Sequence, residues 1–309
     1  MKTLLLLISL PYLALTSYCQ STETTTAIVN FGWIPDGSGI VFTAIRFQSD
    51  RKQPPQAAIY KWDAKTQNID LLIKDAGNPS ISPDGSTMAY SAMTKGFMGN
   101  MDIYLYNFQT KTQTPLCIDT LRESSPSWSP NGDKIVYTVV SGVEKGMRHA
   151  SWDIYTINIK TKEKKQISPS NGHKHFNPVW APKGNKIVYY LEKGDNRDQI
   201  YITDENGSYH TNLTNDTTTH NYYPSWINDE ILYTYDPGQQ VIINPETREK
   251  RMIADFKAFV AAYNSKTKKI AYLTPGSRAN PSDLMIYDLT TKTNVTVVSK
   301  DQTSKLPLH

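Results

Sequence analysis

From residue 27 to 299 the chain alternates apolar and polar positions in short runs, separated by clusters of Pro, Asn, Asp, Gly, Ser and Thr. A period of two is the mark of strands, and no stretch carries the spacing of an amphipathic helix. The clearest run is Pro126-Ser127-Trp128-Ser129-Pro130-Asn131-Gly132-Asp133-Lys134-Ile135-Val136-Tyr137. Stretches 178–189, 79–90 and 31–42 repeat it in phase, 224–233 repeats it with a shorter turn, and 261–272 is the most altered copy. A second pattern follows each copy, as in Asp102-Ile103-Tyr104-Leu105-Tyr106-Asn107 and Asp153-Ile154-Tyr155-Thr156-Ile157-Asn158. Then come a polar turn and a last short strand, such as Val295-Thr296-Val297-Val298.

Each repeat therefore predicts four strands. The Pro-Asp-Gly type of turn joins the first two, with Pro presetting φ and Gly taking the positive φ of a tight hairpin. The leading prolines Pro35, Pro83, Pro130 and Pro182 recur about every 50 residues, a period that points to stacked blades. The prediction is an all-β fold, a six-bladed β-propeller of four-stranded antiparallel blades. A lone blade leaves two apolar faces uncovered, and stacking around an axis covers both. The recurring Trp33, Ile81, Trp128, Trp180 and Trp226 are assigned to that packing, with Phe42, Tyr90, Tyr137, Tyr189, Tyr233 and Tyr272. Tyrosine outnumbers phenylalanine 19 to 8 because it fills two positions of the repeat.

Composition adds limits. With 39% hydrophobic and 20% charged residues the chain is not a disordered one. A net charge of +4 over 309 residues is no nucleic-acid footprint. Residues 1–19 combine Lys2, an apolar core from Leu4 to Leu15 and a small-residue exit, the layout of a secretory signal peptide. Lipidation at Cys19 is the rival reading, disfavoured by Tyr18 beside it. Residues 20–309 form the single propeller domain. No later segment is apolar enough to span a membrane. Cys117 then remains alone, and is read as a small buried apolar residue.

The run at 126–137 resembles the repeat of the TolB-type β-propellers, from about residue 27 to 299. Similar blades occur in prolyl-oligopeptidase-type peptidases and in oligogalacturonate lyases. TolB is similar to an amino-terminal α/β domain joined to a six-bladed propeller, and here the blades begin right after residue 19. The resemblance implies a free-standing exported propeller. A peptidase needs a Gly-x-Ser-x-Gly elbow, and the sequence has none. Lyases of this shape hold a divalent cation through loop histidines.

Candidate ligand-binding residues stand ahead of the innermost-strand prolines Pro126, Pro178 and Pro224: Arg122, Glu123, His173, His175 and His220. In a propeller these loops gather at the mouth of the central channel. His173, His175 and His220 are the candidates for a divalent metal, with polar contacts of the rim as the alternative. The longer loops, with Met93, Phe97, Met98, Met101, Met147 and Trp152, either form an apolar binding surface or fold back on the blades. Read together, the chain is an exported, non-enzymatic binding or scaffolding propeller in the periplasm or outside the cell. It is expected to be a monomer with no cofactor and a protein or carbohydrate partner in the cell envelope. The alternative is a metal-dependent, oligogalacturonate-lyase-like carbohydrate-active enzyme.

Overall fold

The repeats fold as four-stranded meanders. The computed structural model describes residues 24–48, 53–94, 100–142, 150–169, 171–192, 197–277 and 280–307. Unit one is β1 (Thr25–Trp33), β2 (Gly39–Phe47), β3 (Gln56–Asp63) and β4 (Ile69–Lys74). Unit two is β5 (Ala76–Ile81), β6 (Thr87–Ala92), β7 (Asp102–Asn107) and β8 (Gln113–Cys117). Unit three is β9 (Arg122–Trp128), β10 (Lys134–Ser141), β11 (Ser151–Asn158) and β12 (Lys164–Gln166). Unit four is β13 (Lys174–Trp180), β14 (Lys186–Glu192), β15 (Asp198–Asp204) and β16 (Thr211–Asn212). Unit five is β17 (Asn221–Ile227), β18 (Glu230–Tyr235), β19 (Gln239–Ile243) and β20 (Lys250–Lys257). Unit six is β21 (Val260–Asn264), β22 (Lys269–Leu273), β23 (Leu284–Asp288) and β24 (Thr293–Val298). One short helix, α1 (Lys300–Ser304), follows; strand periodicity gives no hint of it, and its Ser299–Gln302 capping box explains it.

Units one, two, five and six are separate sheets. Units three and four share one eight-stranded sheet, joined only where Trp152 of β11 pairs in parallel with Lys174 of β13. Dividing that sheet at this pair yields the six blades of the repeat. The first strands touch in a closed cycle, β1 to β5, β9, β13, β17, β21 and back to β1. They are therefore the inner strands of a β-propeller.

The repeat residues pack as expected. Phe42, Tyr90, Tyr137, Tyr189 and Tyr233 are among the largest fully buried side chains. The tryptophans also tie neighbouring blades. Trp33 Nε1 donates to the Ala262 carbonyl at 2.9 Å, Trp128 Nε1 to Ser80 at 3.0 Å and Trp226 Nε1 to Val179 at 3.0 Å. Trp180 is different: its ring nitrogen is buried with no partner among the described residues.

One end of the ring is sealed by tight turns. The residue closing each third strand, such as Asn107, accepts backbone N–H bonds from Gln109 (3.0 Å) and Thr110 (2.9 Å). Asp63, Asn158, Asp204, Asn244 and Asp288 act alike. An Asx turn of this kind needs a short side-chain oxygen, so the repeat keeps Asp or Asn there.

The ring closes without strand exchange. Each unit uses consecutive strands, with residues 25–29 inside β1 and β24 completing unit six. A carboxy-terminal strap covers the joint instead. Leu306 is buried in a cluster with Ile28, Phe42 and Tyr60 of unit one and Leu284 and Val298 of unit six. Arg46 Nη2 donates to the Leu306 carbonyl at 2.9 Å, and the Tyr60 hydroxyl donates to that of Pro307.

Candidate binding face at the loop-rich end

Antiparallel order brings the start of each first strand, the end of each second and the start of each third to one end of the ring. The longer loops lie there, opposite the tight turns. Met93 and Met101 fold back into a cluster with Ala27, Ile45 and Phe47. Trp152 packs on Phe176 with ring centres 4.8 Å apart. Phe97, Met98 and Met147 lie outside the described residues, as do residues 1–19 with Cys19.

Strand alternation separates the predicted site residues into two sets. Glu123, His175 and Asn221 each stand three residues before the proline of an inner strand, and all are buried. Arg122, Lys174 and His220 precede them by one residue and reach solvent in part. Glu123 and His175 are thus sealed inside the fold, at 1% and 0% exposure. A side chain one position over on a strand points to the opposite face, which proximity to a proline does not reveal.

His175 Nδ1 lies 3.0 Å from the Trp152 carbonyl, and its ring faces Tyr189 at 5.7 Å. Burial lowers its pKa. Glu123 Oε1 accepts from Cys117 Sγ at 3.3 Å. Burial, with Asp119 close by, pushes its carboxyl up to about 8. His173 stays partly exposed, its backbone N–H bonded to Asn171 Oδ1 at 3.1 Å. Arg122 places its guanidinium 3.4 Å from Met101 Sδ, and burial lowers its pKa.

The exposed set gathers acidic partners. Lys174 Nζ sits 3.4 Å from Glu192 Oε1, and His220 Nδ1 sits 3.1 Å from Asp198 Oδ2. Glu192 and Asp198 pair across β14 and β15. Burial raises Asp198 to about 6, against the pull of His220. The Tyr222 hydroxyl donates to Asp236 Oδ1 at 3.2 Å. The result is a row of charged and polar side chains over units four and five, suited to a polar partner rather than an apolar one. Lys174, Glu192, Asp198 and Asp236 escape sequence reasoning because no one of them belongs to a motif.

His220 is held by Asp198, whereas His175 turns its Nδ1 to Trp152. Among the described residues, the three histidines form no cluster with ligating atoms within 4.8 Å of one another; Cys117, Asp119 and Glu123 do. No helix of the described residues is long and apolar enough to cross a membrane.

No protein-family model matches the chain. Over 194 residues it is 26% identical to the Tol-Pal system protein TolB of Francisella tularensis subsp. mediasiatica, covering 61% of this chain and 41% of the relative. The fold is a β-propeller, and in sequence the chain is similar to TolB proteins. The chain spans about two fifths of the length of the curated TolB relatives it matches. TolB from Acinetobacter baumannii superposes with a TM-score of 0.56 at 21% identity, over 72% of this chain and 53% of that one. An oligogalacturonate lyase in complex with manganese gives a TM-score of 0.63 at 14% identity, over 93% and 84%. At such identities the likeness is one of fold.

Proposed function

We propose that this TolB-type propeller is an exported, periplasmic, non-enzymatic binding module that engages a protein of the bacterial cell envelope through its loop-rich end. The observation that carries the reading is the sequence match to TolB proteins over 61% of the chain. The asymmetry of the ring supports the choice of end: tight Asx turns occupy one side, while longer loops and the row Arg122, Lys174 and His220 occupy the other. Loops on a rigid scaffold are the usual carriers of binding. The reading takes the propeller as a six-bladed monomer that works without a cofactor.

The second reading, a metal-dependent lyase, is favoured by the manganese-bound neighbour. It needs His173, His175 and His220 around one ion. Among the described residues the three do not bring ligating atoms within 4.8 Å of one another, which weighs against it.

A photo-cross-linking residue placed at His173, in the producing cell, tests the proposal against the same probe at Lys111 on the tight-turn end. A discrete envelope-protein adduct from position 173, absent from 111, is expected. No adduct at 173, or equal adducts at both, overturns it.

A further inference from the structure

The connection from unit two to unit three carries three potential metal ligands in seven residues. Cys117 ends β8, Asp119 lies in the turn and Glu123 is the second residue of β9. Each offers one ligating atom, and these atoms all lie within 4.8 Å of one another. The positions are fixed by main-chain bonds: the Glu123 N–H donates to the Met101 carbonyl at 2.7 Å, and Asn100 Nδ2 to the Asp119 carbonyl at 3.1 Å. Asp119 Oδ1 also accepts the Leu121 N–H at 2.7 Å.

Two features go beyond a chance grouping. Glu123 is 1% exposed, and its Oε2 has no hydrogen-bond partner among the described residues. A carboxyl oxygen so buried has no solvent to turn to; with its other oxygen on the Cys117 sulfur and Asp119 beside the same carboxyl, it faces into the cluster. Second, the cluster already holds a cation. Lys164 Nζ lies 2.7 Å from Asp119 Oδ2, on a side chain that is 35% exposed.

We propose that Cys117, Asp119 and Glu123 form a binding site for a divalent transition-metal ion, of which zinc fits best. One sulfur and two carboxylate oxygens are a donor set for zinc, not for magnesium or calcium, which take oxygen alone. The ion replaces the Lys164 ammonium against Asp119, and the protons of the Cys117 thiol and the Glu123 carboxyl leave to solvent as that sulfur and oxygen bind it. Asp119 is the more exposed ligand and faces the route in. A fourth position stays open to water. The site ties the outer strand of one blade to the inner strand of the next. It is independent of the three histidines and of the partner reading above.

The test uses the full chain, stripped with chelator and titrated with cobalt and then zinc. One cobalt per chain is expected, with a thiolate-to-cobalt charge-transfer band that Cys117→Ser abolishes. Glu123→Gln weakens zinc binding about tenfold or more. Lys164→Met, a surface change that leaves the fold intact, removes the competing ammonium and tightens zinc binding. His173→Ala and His220→Ala leave it unchanged. Absence of the charge-transfer band in the parent chain overturns the proposal. So does zinc affinity that Lys164→Met fails to raise, or that His173→Ala or His220→Ala abolishes.

Discussion

Two joints of the ring are built in different ways. Between units three and four the backbone itself crosses, through the parallel pair of Trp152 and Lys174. Side chains reinforce it: Ser125 Oγ donates to Asn177 Oδ1 at 3.0 Å, and Trp180 N to Ser127 Oγ at 3.0 Å. Between units six and one no strand crosses. There Trp33 reaches the Ala262 carbonyl, Asn264 Nδ2 reaches Ile34 and Pro35 carbonyls, and the strap of residues 299–307 lies over both. One joint resides in the sheet, and the other in a plug that can be cut away. Sheet continuity is thus not what every joint of the ring needs; burying apolar surface across the joint serves as well.

That comparison can be broken at its weaker side first. Truncation after Val298 removes Leu306 and the bonds from Arg46 and Tyr60, and should cost about 4 kcal/mol or more in urea denaturation. A truncated chain of parental stability would show the strap to be ornamental. Leu306→Ala alone, at 6% exposure, should cost about 2–3 kcal/mol and lower the melting temperature accordingly.

On the continuous side the charges near Lys174 set a pH dependence. Asp198 holds its proton in the fold up to about 6, against 3.8 when unfolded. Its contribution is therefore complete below about pH 4 and is lost as pH rises towards 6. The loss is about 3 kcal/mol, and Asp198→Asn removes it from the pH profile of stability. A difference between parent and variant that stays constant from pH 4 to 6 would contradict the burial of this carboxyl.

The smallest effect sets the two joints side by side. Trp33→Phe deletes a bond across the open joint and leaves the Ala262 carbonyl short of a donor, for about 1 kcal/mol. Trp180→Phe deletes a buried ring nitrogen with no partner among the described residues, so it should cost less. Paired melting curves decide; equal losses would mean that ring volume, not the hydrogen bond, does the tying.

The fold was legible because it is repetitive. Each in-phase copy of the 126–137 pattern reports the same strands, and even the altered copy at 261–272 becomes β21 and β22. The strap was not, since a single helical turn and one buried leucine leave no period to detect. The candidate site was half legible. The offset from Pro126, Pro178 and Pro224 places these residues at the loop-rich end, but the parity of the strand decides that Arg122 reaches solvent while Glu123 does not. Cys117 was read correctly as buried, at 1% exposure, but its company was not seen. Asp119 comes from a turn, and Lys164 from the outer strand of the next blade.

The strap also has a timing. Arg46 and Leu306 lie 260 residues apart, so the first blade is made long before the segment that covers it. Until residue 306 leaves the ribosome, Ile28 and Phe42 lack the leucine that later covers them. Contacts of such separation form late and slowly. The growing chain must stay unaggregated with an unfinished face through nearly its whole synthesis. A holdase that acts on it should therefore recognise the first blade rather than the last.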